Sequence, residues 1–127
     1  MINTMVCFRT STGSFAVPVG STRAVRSASG LVPLPEQRVD IAGVLPGQPP
    51  ITVLAILGAG GEFVLVLTSG SIDYGLQVLE VKGVERVDNA QVGPAPYGQD
   101  RTLITGTLYG SDDLVLILDP DKMATRL

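Results

Sequence analysis

The feature that most constrains the fold is a set of short apolar runs, each closed by turn-forming residues. Leu114 to Leu118 is such a run, and the turn formers Gly110 to Asp113 precede it while Asp119-Pro120 follows it. Five residues are too few for an ordinary helix but are typical of a strand buried on both faces. Ile51 to Leu57 and Phe63 to Leu67 have the same character. The pattern therefore predicts short strands joined by tight turns.

These landmarks occur twice in the same order. Ile41-Ala-Gly-Val-Leu-Pro-Gly47 and Ile104-Thr-Gly-Thr-Leu-Tyr-Gly110 share Ile, Gly, Leu and Gly at the same relative positions, and Phe15-Ala-Val-Pro-Val19 matches Tyr74-Gly-Leu-Gln-Val78. We interpret the chain as one β unit written twice, with Gly58-Ala-Gly-Gly61 as the joint. Chance similarity among short strands rich in Val and Leu is the alternative.

Composition supports this interpretation and excludes several classes of function. The chain has 127 residues, 45% of them apolar, with 15 Gly and 9 Pro, which fits one all-β domain rather than a disordered chain. No apolar run approaches the roughly 20 residues of a membrane span. The single cysteine, Cys7, rules out an internal disulfide, and no signal peptide is recognisable, so we expect a cytoplasmic protein. The net charge of −3 disfavours nucleic-acid binding.

Residues suited to catalysis are scarce. The chain has no histidine, the commonest general base and zinc ligand, so we expect Cys7 to be a buried, inert thiol and predict no enzyme, cofactor or metal. Carboxylates do cluster near the C-terminus, but Asp112 and Asp113 suit a turn, and Asp119 with Pro120 suits the start of a short helix. A small β-barrel enzyme or ligand- or metal-binding protein using Asp112, Asp113 and Asp119 is the alternative hypothesis.

The order of the motifs resembles the CheW-like domain, the adaptor family of bacterial chemotaxis. The similarity covers nearly the whole chain. It is carried by Val6-Cys-Phe8, Phe15-Ala-Val-Pro-Val19, Arg23-Ala-Val-Arg26, Val32-Pro-Leu-Pro35, Ile41-Ala-Gly-Val44, Gly75-Leu-Gln-Val-Leu-Glu-Val81, Gly83-Val-Glu-Arg-Val87, Ile104-Thr-Gly106 and Leu114-Val-Leu-Ile-Leu-Asp119. The chain departs from the family at Leu45-Pro-Gly-Gln48, where the family usually has Asn-Leu-Arg-Gly, and this puts the usual receptor contact in doubt.

The resemblance implies an all-β, mainly antiparallel fold of two small five-stranded SH3-like barrels, with at most a short helix near the C-terminus. We place the two subdomains at about 11–58 and 61–127 of a single domain, with strand 5–10 able to pair with the second. The implied function is a non-catalytic adaptor that couples chemoreceptors to the regulatory domain of a histidine kinase. The positions that match the family's partner-facing segments are Thr22, Ala24, Val25, Val44, Leu45 and Gln48.

Overall fold

The computed structural model describes residues 2–34, 40–98, 102–109 and 113–127, and most of these residues lie in β-strands. The predicted turn at Gly110–Asp112 lies outside the described residues. The strands are β1 (Ile2–Thr10), β2 (Gly13–Pro18), β3 (Thr22–Ser27), β4 (Ile41–Leu45), β5 (Ile51–Leu54), β6 (Phe63–Ser69), β7 (Ile72–Val78), β8 (Glu80–Asp88), β9 (Val92–Gly93), β10 (Ile104–Tyr109) and β11 (Leu114–Leu118). The one α-helix of the described residues, α1, spans Pro120–Ala124.

The strands form two sheets. The six-stranded sheet has the order β8-β1-β2-β11-β10-β9, and the five-stranded sheet has the order β3-β6-β7-β5-β4. All neighbours are antiparallel except β2 with β11 and β5 with β7. The predicted all-β, mainly antiparallel class is therefore confirmed. The sheets differ from the expected five-stranded barrels, because one has a sixth strand and neither is closed by pairing of its edge strands among the described residues.

The two sheets have the same internal plan. Phe8 pairs with Phe15 in the hairpin β1–β2, and Leu67 pairs with Tyr74 in the hairpin β6–β7, so each residue of the second hairpin lies 59 positions after its counterpart. Apart from β9, which has no counterpart, the two strand orders are the same: β8-β1-β2-β11-β10 corresponds to β3-β6-β7-β5-β4. This shared plan is what the repeated sequence landmarks reflect.

The third strand of each half is exchanged between the sheets. After β2 the chain leaves the six-stranded sheet and adds β3 to β6, whereas after β7 it leaves the five-stranded sheet and adds β8 to β1. The sheets therefore divide the chain differently from the boundaries 11–58 and 61–127. The five-stranded sheet uses residues 22–78, and the six-stranded sheet uses residues before and after that range.

A shared apolar core joins the two sheets. It contains four residues of the hairpin β1–β2 and their four counterparts in β6–β7: Val6, Phe8, Phe15, Val17, Leu65, Leu67, Tyr74 and Leu76. The rings of Phe8 and Phe15 lie 6.0 Å apart. Each sheet also has a smaller buried cluster of its own, centred on Cys7 and Ile117 in the six-stranded sheet and on Leu45 and Val53 in the five-stranded sheet.

The C-terminal helix closes one side of the shared core. Asp119 accepts hydrogen bonds from the backbone of Asp121 and Lys122, and Pro120 occupies the first helical position, so the predicted cap and helix are confirmed. Met123 is fully buried in the shared core. No helix within the described residues is long and apolar enough to span a membrane.

Candidate protein-binding surfaces

The strand β3 is an exposed edge of the five-stranded sheet. It pairs with β6 alone in that sheet, and five of its six residues are exposed. Val25 is 50% exposed although it pairs with the buried Leu65, which puts both side chains on one face. An edge strand with unpaired backbone groups and an exposed apolar side chain is well suited to bind another protein.

The strand β8 is the equivalent edge of the six-stranded sheet. Val84 pairs with Val6 in the six-stranded sheet, and Val25 pairs with Leu65 in the five-stranded sheet. Val84 is the counterpart of Val25 and Val6 is the counterpart of Leu65, each at a distance of 59 positions. Val84 is 61% exposed. The molecule therefore presents one exposed valine, in the same register, on each of two equivalent edges.

The two edges differ in charge. Within its bounds, β3 has two cations, Arg23 and Arg26, and no carboxylate, although the chain as a whole carries a net charge of −3. The longer β8 alternates charges of both signs along Glu80–Asp88. Since charge complementarity selects partners more than it adds affinity, the two edges are suited to different partners.

The predicted residues of β3 lie on this edge. Ala24 and Val25 are exposed, whereas Thr22 is half-buried and its hydroxyl donates a hydrogen bond of 2.7 Å to the carbonyl oxygen of Val19. Thr22 therefore holds the turn that enters β3, and Ala24 and Val25 are the residues free to contact a partner.

The predicted residues of the second segment lie in different environments. Leu45 is only 1% exposed and belongs to the core of the five-stranded sheet, so it offers a partner almost no surface. Val44 is half-buried, and its backbone exchanges hydrogen bonds of 2.8 and 2.9 Å with Val32. Gln48 is exposed in the proline-rich turn between β4 and β5.

The sheet curves enough to bring the ends of β3 and β4 together, although they are opposite edges in the strand order. They form a groove of about 490 Å³. Its lining residues are Arg26, Ser27, Ser29, Gly30, Leu45 and Pro46. The two predicted segments therefore meet only at this end, and Thr22 lies at the other end of β3.

The carboxylates of the alternative hypothesis do not converge. Asp113 accepts a hydrogen bond from Ser14 and lies 3.7 Å from the ammonium group of Lys82, whereas Asp119 caps α1. The two residues flank the five-residue strand β11, six positions and therefore about 20 Å apart at the usual rise per residue. Among the described residues, which do not include Asp112, no three potential ligands are grouped for a metal ion.

Cys7 is buried in the core of the six-stranded sheet. Burial is the main cause that raises the pKa of its thiol, and the nearby carboxylate of Glu85 adds to the effect. A neutral, buried thiol is a poor nucleophile, which agrees with the inert role expected from the sequence.

Val84 is the surface residue that the sequence interpretation missed. The repeat in the sequence could have identified it, because Val84 follows Val25 by 59 residues, the same spacing that separates Phe15 from Tyr74. What the sequence did not show is that β3 and β8 are exchanged between the sheets and that both are edges.

The fold and its two exposed edges define the class of the protein, an all-β domain of two sheets that share one core. The family model of the CheW-like domain matches residues 45–127, and the chain belongs to that family. The crystal structure of the scaffolding protein TtCheW from Thermoanaerobacter tengcongensis is similar, with a TM-score of 0.81 and 18% identity over 97% of this chain and 92% of that chain. A comparison with curated proteins finds no match.

Proposed function

We propose that the chain is a non-catalytic adaptor of a chemotaxis-type signalling pathway, which couples a chemoreceptor to the regulatory domain of a histidine kinase. Membership of the CheW-like family supports the general role of a scaffold. The observation that carries the coupling role is the pair of exposed valines, Val25 and Val84, at equivalent positions of two separate edges. A coupling protein needs two surfaces that can be occupied together.

Each edge provides an apolar anchor with polar surroundings. Stable protein interfaces bury about 800 Å² on each partner, and a few central side chains carry most of the binding energy. Val25 with Ala24 supplies such a centre on β3, and Val84 with Gly83 supplies it on β8. Arg23 already lies 3.8 Å from the carboxylate of Asp73, so Arg26 is the cation of β3 that favours an acidic partner. The alternating charges of β8 favour a partner of mixed charge.

The experiment is capture of a receptor's cytoplasmic tip and of a kinase regulatory domain by Val25→Glu and Val84→Glu variants. Each variant places a carboxylate at the centre of one proposed interface, where it is desolvated without a partner. We expect each variant to lose one partner by at least about 30-fold in Kd, which corresponds to about 2 kcal/mol, and to keep the other.

Ile72→Glu is the matched control, because Ile72 is 53% exposed on β7, an interior strand of its sheet. It should bind both partners as the parent chain does. Circular dichroism and thermal melting establish that all three variants fold. If neither edge variant loses a partner, or if each loses both while remaining folded, the two-edge proposal is wrong.

A further inference from the structure

A cavity opens into the core of the six-stranded sheet at the end where β1 begins. Its volume is about 490 Å³, within the range of small-molecule sites. Its lining includes Asn3, Met5, Val87, Asn89, Val92 and Ile117, and none of its lining residues is charged. Met5, Val87 and Ile117 are buried core residues of this sheet, so the cavity is apolar at its floor and polar only at its mouth.

The five-stranded sheet has a cavity of about 460 Å³ in the equivalent place, but its chemistry is different. Gln77 stands 59 positions after Pro18 and donates a hydrogen bond of 2.9 Å to the carbonyl oxygen of Gly61. Glu62 and the serines Ser27 and Ser29 also line it. The apolar character of the first cavity is therefore a property of the six-stranded sheet and does not follow from the shared fold.

A difference in packing creates the apolar cavity. In the five-stranded sheet, half-buried apolar residues such as Ala28 and Leu31 cover the small core, whereas no such layer covers the other small core among the described residues. Val92 follows the 3₁₀ turn Asn89–Gln91 as Leu31 follows the 3₁₀ turn Ala28–Gly30, but Val92 is still 36% exposed. The strand β8 has nine residues where β3 has six, and the turn after β8 begins 61 positions after its counterpart (89 − 28 = 61) instead of 59.

Two amides stand at the mouth of the cavity. The side-chain nitrogen of Asn3 donates a hydrogen bond of 2.6 Å to the side-chain oxygen of Asn89. This contact leaves the oxygen of Asn3 able to accept a hydrogen bond and the nitrogen of Asn89 able to donate one. An uncharged group that both donates and accepts fits this pair, whereas a charged group would lose hydration without gaining an opposite charge.

We propose that this cavity binds a neutral amphiphile. Its aliphatic or aromatic body lies against Met5, Val87 and Ile117, and its amide or hydroxyl head is hydrogen-bonded to Asn3 and Asn89. The lining includes Val87 of β8 but neither Val25 nor Val84, so the Val25→Glu and Val84→Glu variants leave the lining of this site unchanged.

The experiment uses the full chain and the neutral fluorescent probe N-phenyl-1-naphthylamine. Three competitors with the same eight-carbon chain then displace the probe: octanamide, octanoate and octylammonium. We expect a rise in probe fluorescence on binding, and we expect octanamide to displace the probe at a concentration at least about tenfold lower than either ion. Equal displacement by all three would overturn the assignment of a neutral ligand.

Variants locate the site. Val92→Trp and Val19→Trp fill the cavity from two exposed wall positions, and Ile72→Trp adds the same indole outside the cavity. We expect the two wall variants to weaken probe binding at least tenfold and the control to leave it unchanged. Asn89→Leu should bind the probe as the parent chain does, but octanamide should no longer displace it at a lower concentration than octanoate or octylammonium. If folded Val92→Trp and Val19→Trp both bind the probe as the parent chain does, the cavity is not the site.

Discussion

The two sheets are alike where they face each other and different where they face outwards. Phe8 and Leu67, and likewise Phe15 and Tyr74, hold equivalent places in the shared core. The edge strands diverge, since β3 is short and basic whereas β8 is longer and of mixed charge. The two copies of the unit therefore resemble each other in the core that they build together and differ in the surfaces that they present.

The exchange of β3 and β8 makes the two halves depend on each other. The six-stranded sheet takes β1 and β2 from the first half and its remaining strands from the second, and the five-stranded sheet is mixed in the same way. Neither half can therefore form a complete sheet, and an unpaired hairpin is marginally stable at best. The domain should fold as one cooperative unit.

Cutting the chain gives the largest expected effect. Fragments 1–60 and 61–127, separated within the glycine-rich joint, should each be unfolded alone and should recover the native structure when mixed. The loss on separation is the whole free energy of unfolding, about 5–15 kcal/mol for a domain of this size. Circular dichroism of each fragment and of the mixture measures it. A cooperative melt of either fragment alone, as a monomer, would instead support independent subdomains at 11–58 and 61–127.

The all-β class and most strand positions could be predicted because they depend on local patterns. Leu114–Leu118 is a strand as expected, since a five-residue apolar run between turn formers has few other solutions. The run Ile51 to Leu57 was less informative, because β5 ends at Leu54 although the apolar residues continue. Apolar pattern shows that a segment is buried but does not show where its backbone pairing ends.

The sheet arrangement could not be predicted in the same way, because strand pairing is a long-range choice. The strands β2 and β3 are adjacent in sequence, yet they belong to different sheets. The same limit applied to the candidate surface. Val25 and Leu45 are both apolar residues of edge strands, and only the packing of residues distant in sequence shows that Val25 is exposed whereas Leu45 lies inside a covered core.

Gly43 and Gly106 are the glycines of the repeated Ile-x-Gly pattern, one in each half of the chain. A Cβ atom at Gly43 would lie 2.4 Å from the carbonyl oxygen of Val32, and one at Gly106 would lie 2.9 Å from the carbonyl oxygen of Gly93. Both glycines follow a register shift and let a neighbouring backbone approach closely. The repeated Ile-x-Gly pattern is thus explained by the same backbone contact in each sheet.

We expect Gly43→Ala to cost about 3 kcal/mol and Gly106→Ala about 1–2 kcal/mol, because the backbone contact at Gly43 is 0.5 Å shorter and its φ of +156° is one that L side chains rarely adopt. Urea unfolding measures both values. Gly20→Ala is the control, since nothing lies within 4 Å of a Cβ atom there and its φ is not in the left-handed region. Equal small losses at all three positions would show that the two close approaches relax without cost.

Tyr74 differs from its counterpart Phe15 by one hydroxyl group, which gives the smallest predicted effect. This hydroxyl donates a hydrogen bond of 2.6 Å to the carbonyl oxygen of Pro120 and so ties α1 to the shared core. At pH 7, Tyr74→Phe should lower the free energy of unfolding by about 1 kcal/mol, because a buried carbonyl group loses its donor.

The pH dependence of this loss checks the assignment. Burial, followed by the charges of Asp121 and Asp119, raises the pKa of Tyr74 well above its usual value. The unfolded chain therefore releases this proton first, at about pH 10, and the stability that the neutral phenol provides is lost as the pH rises further. Urea unfolding from pH 7 to 11 should show the parent chain losing its advantage over Tyr74→Phe above about pH 10, whereas parallel curves would mean that Tyr74 ionises as freely in the folded state.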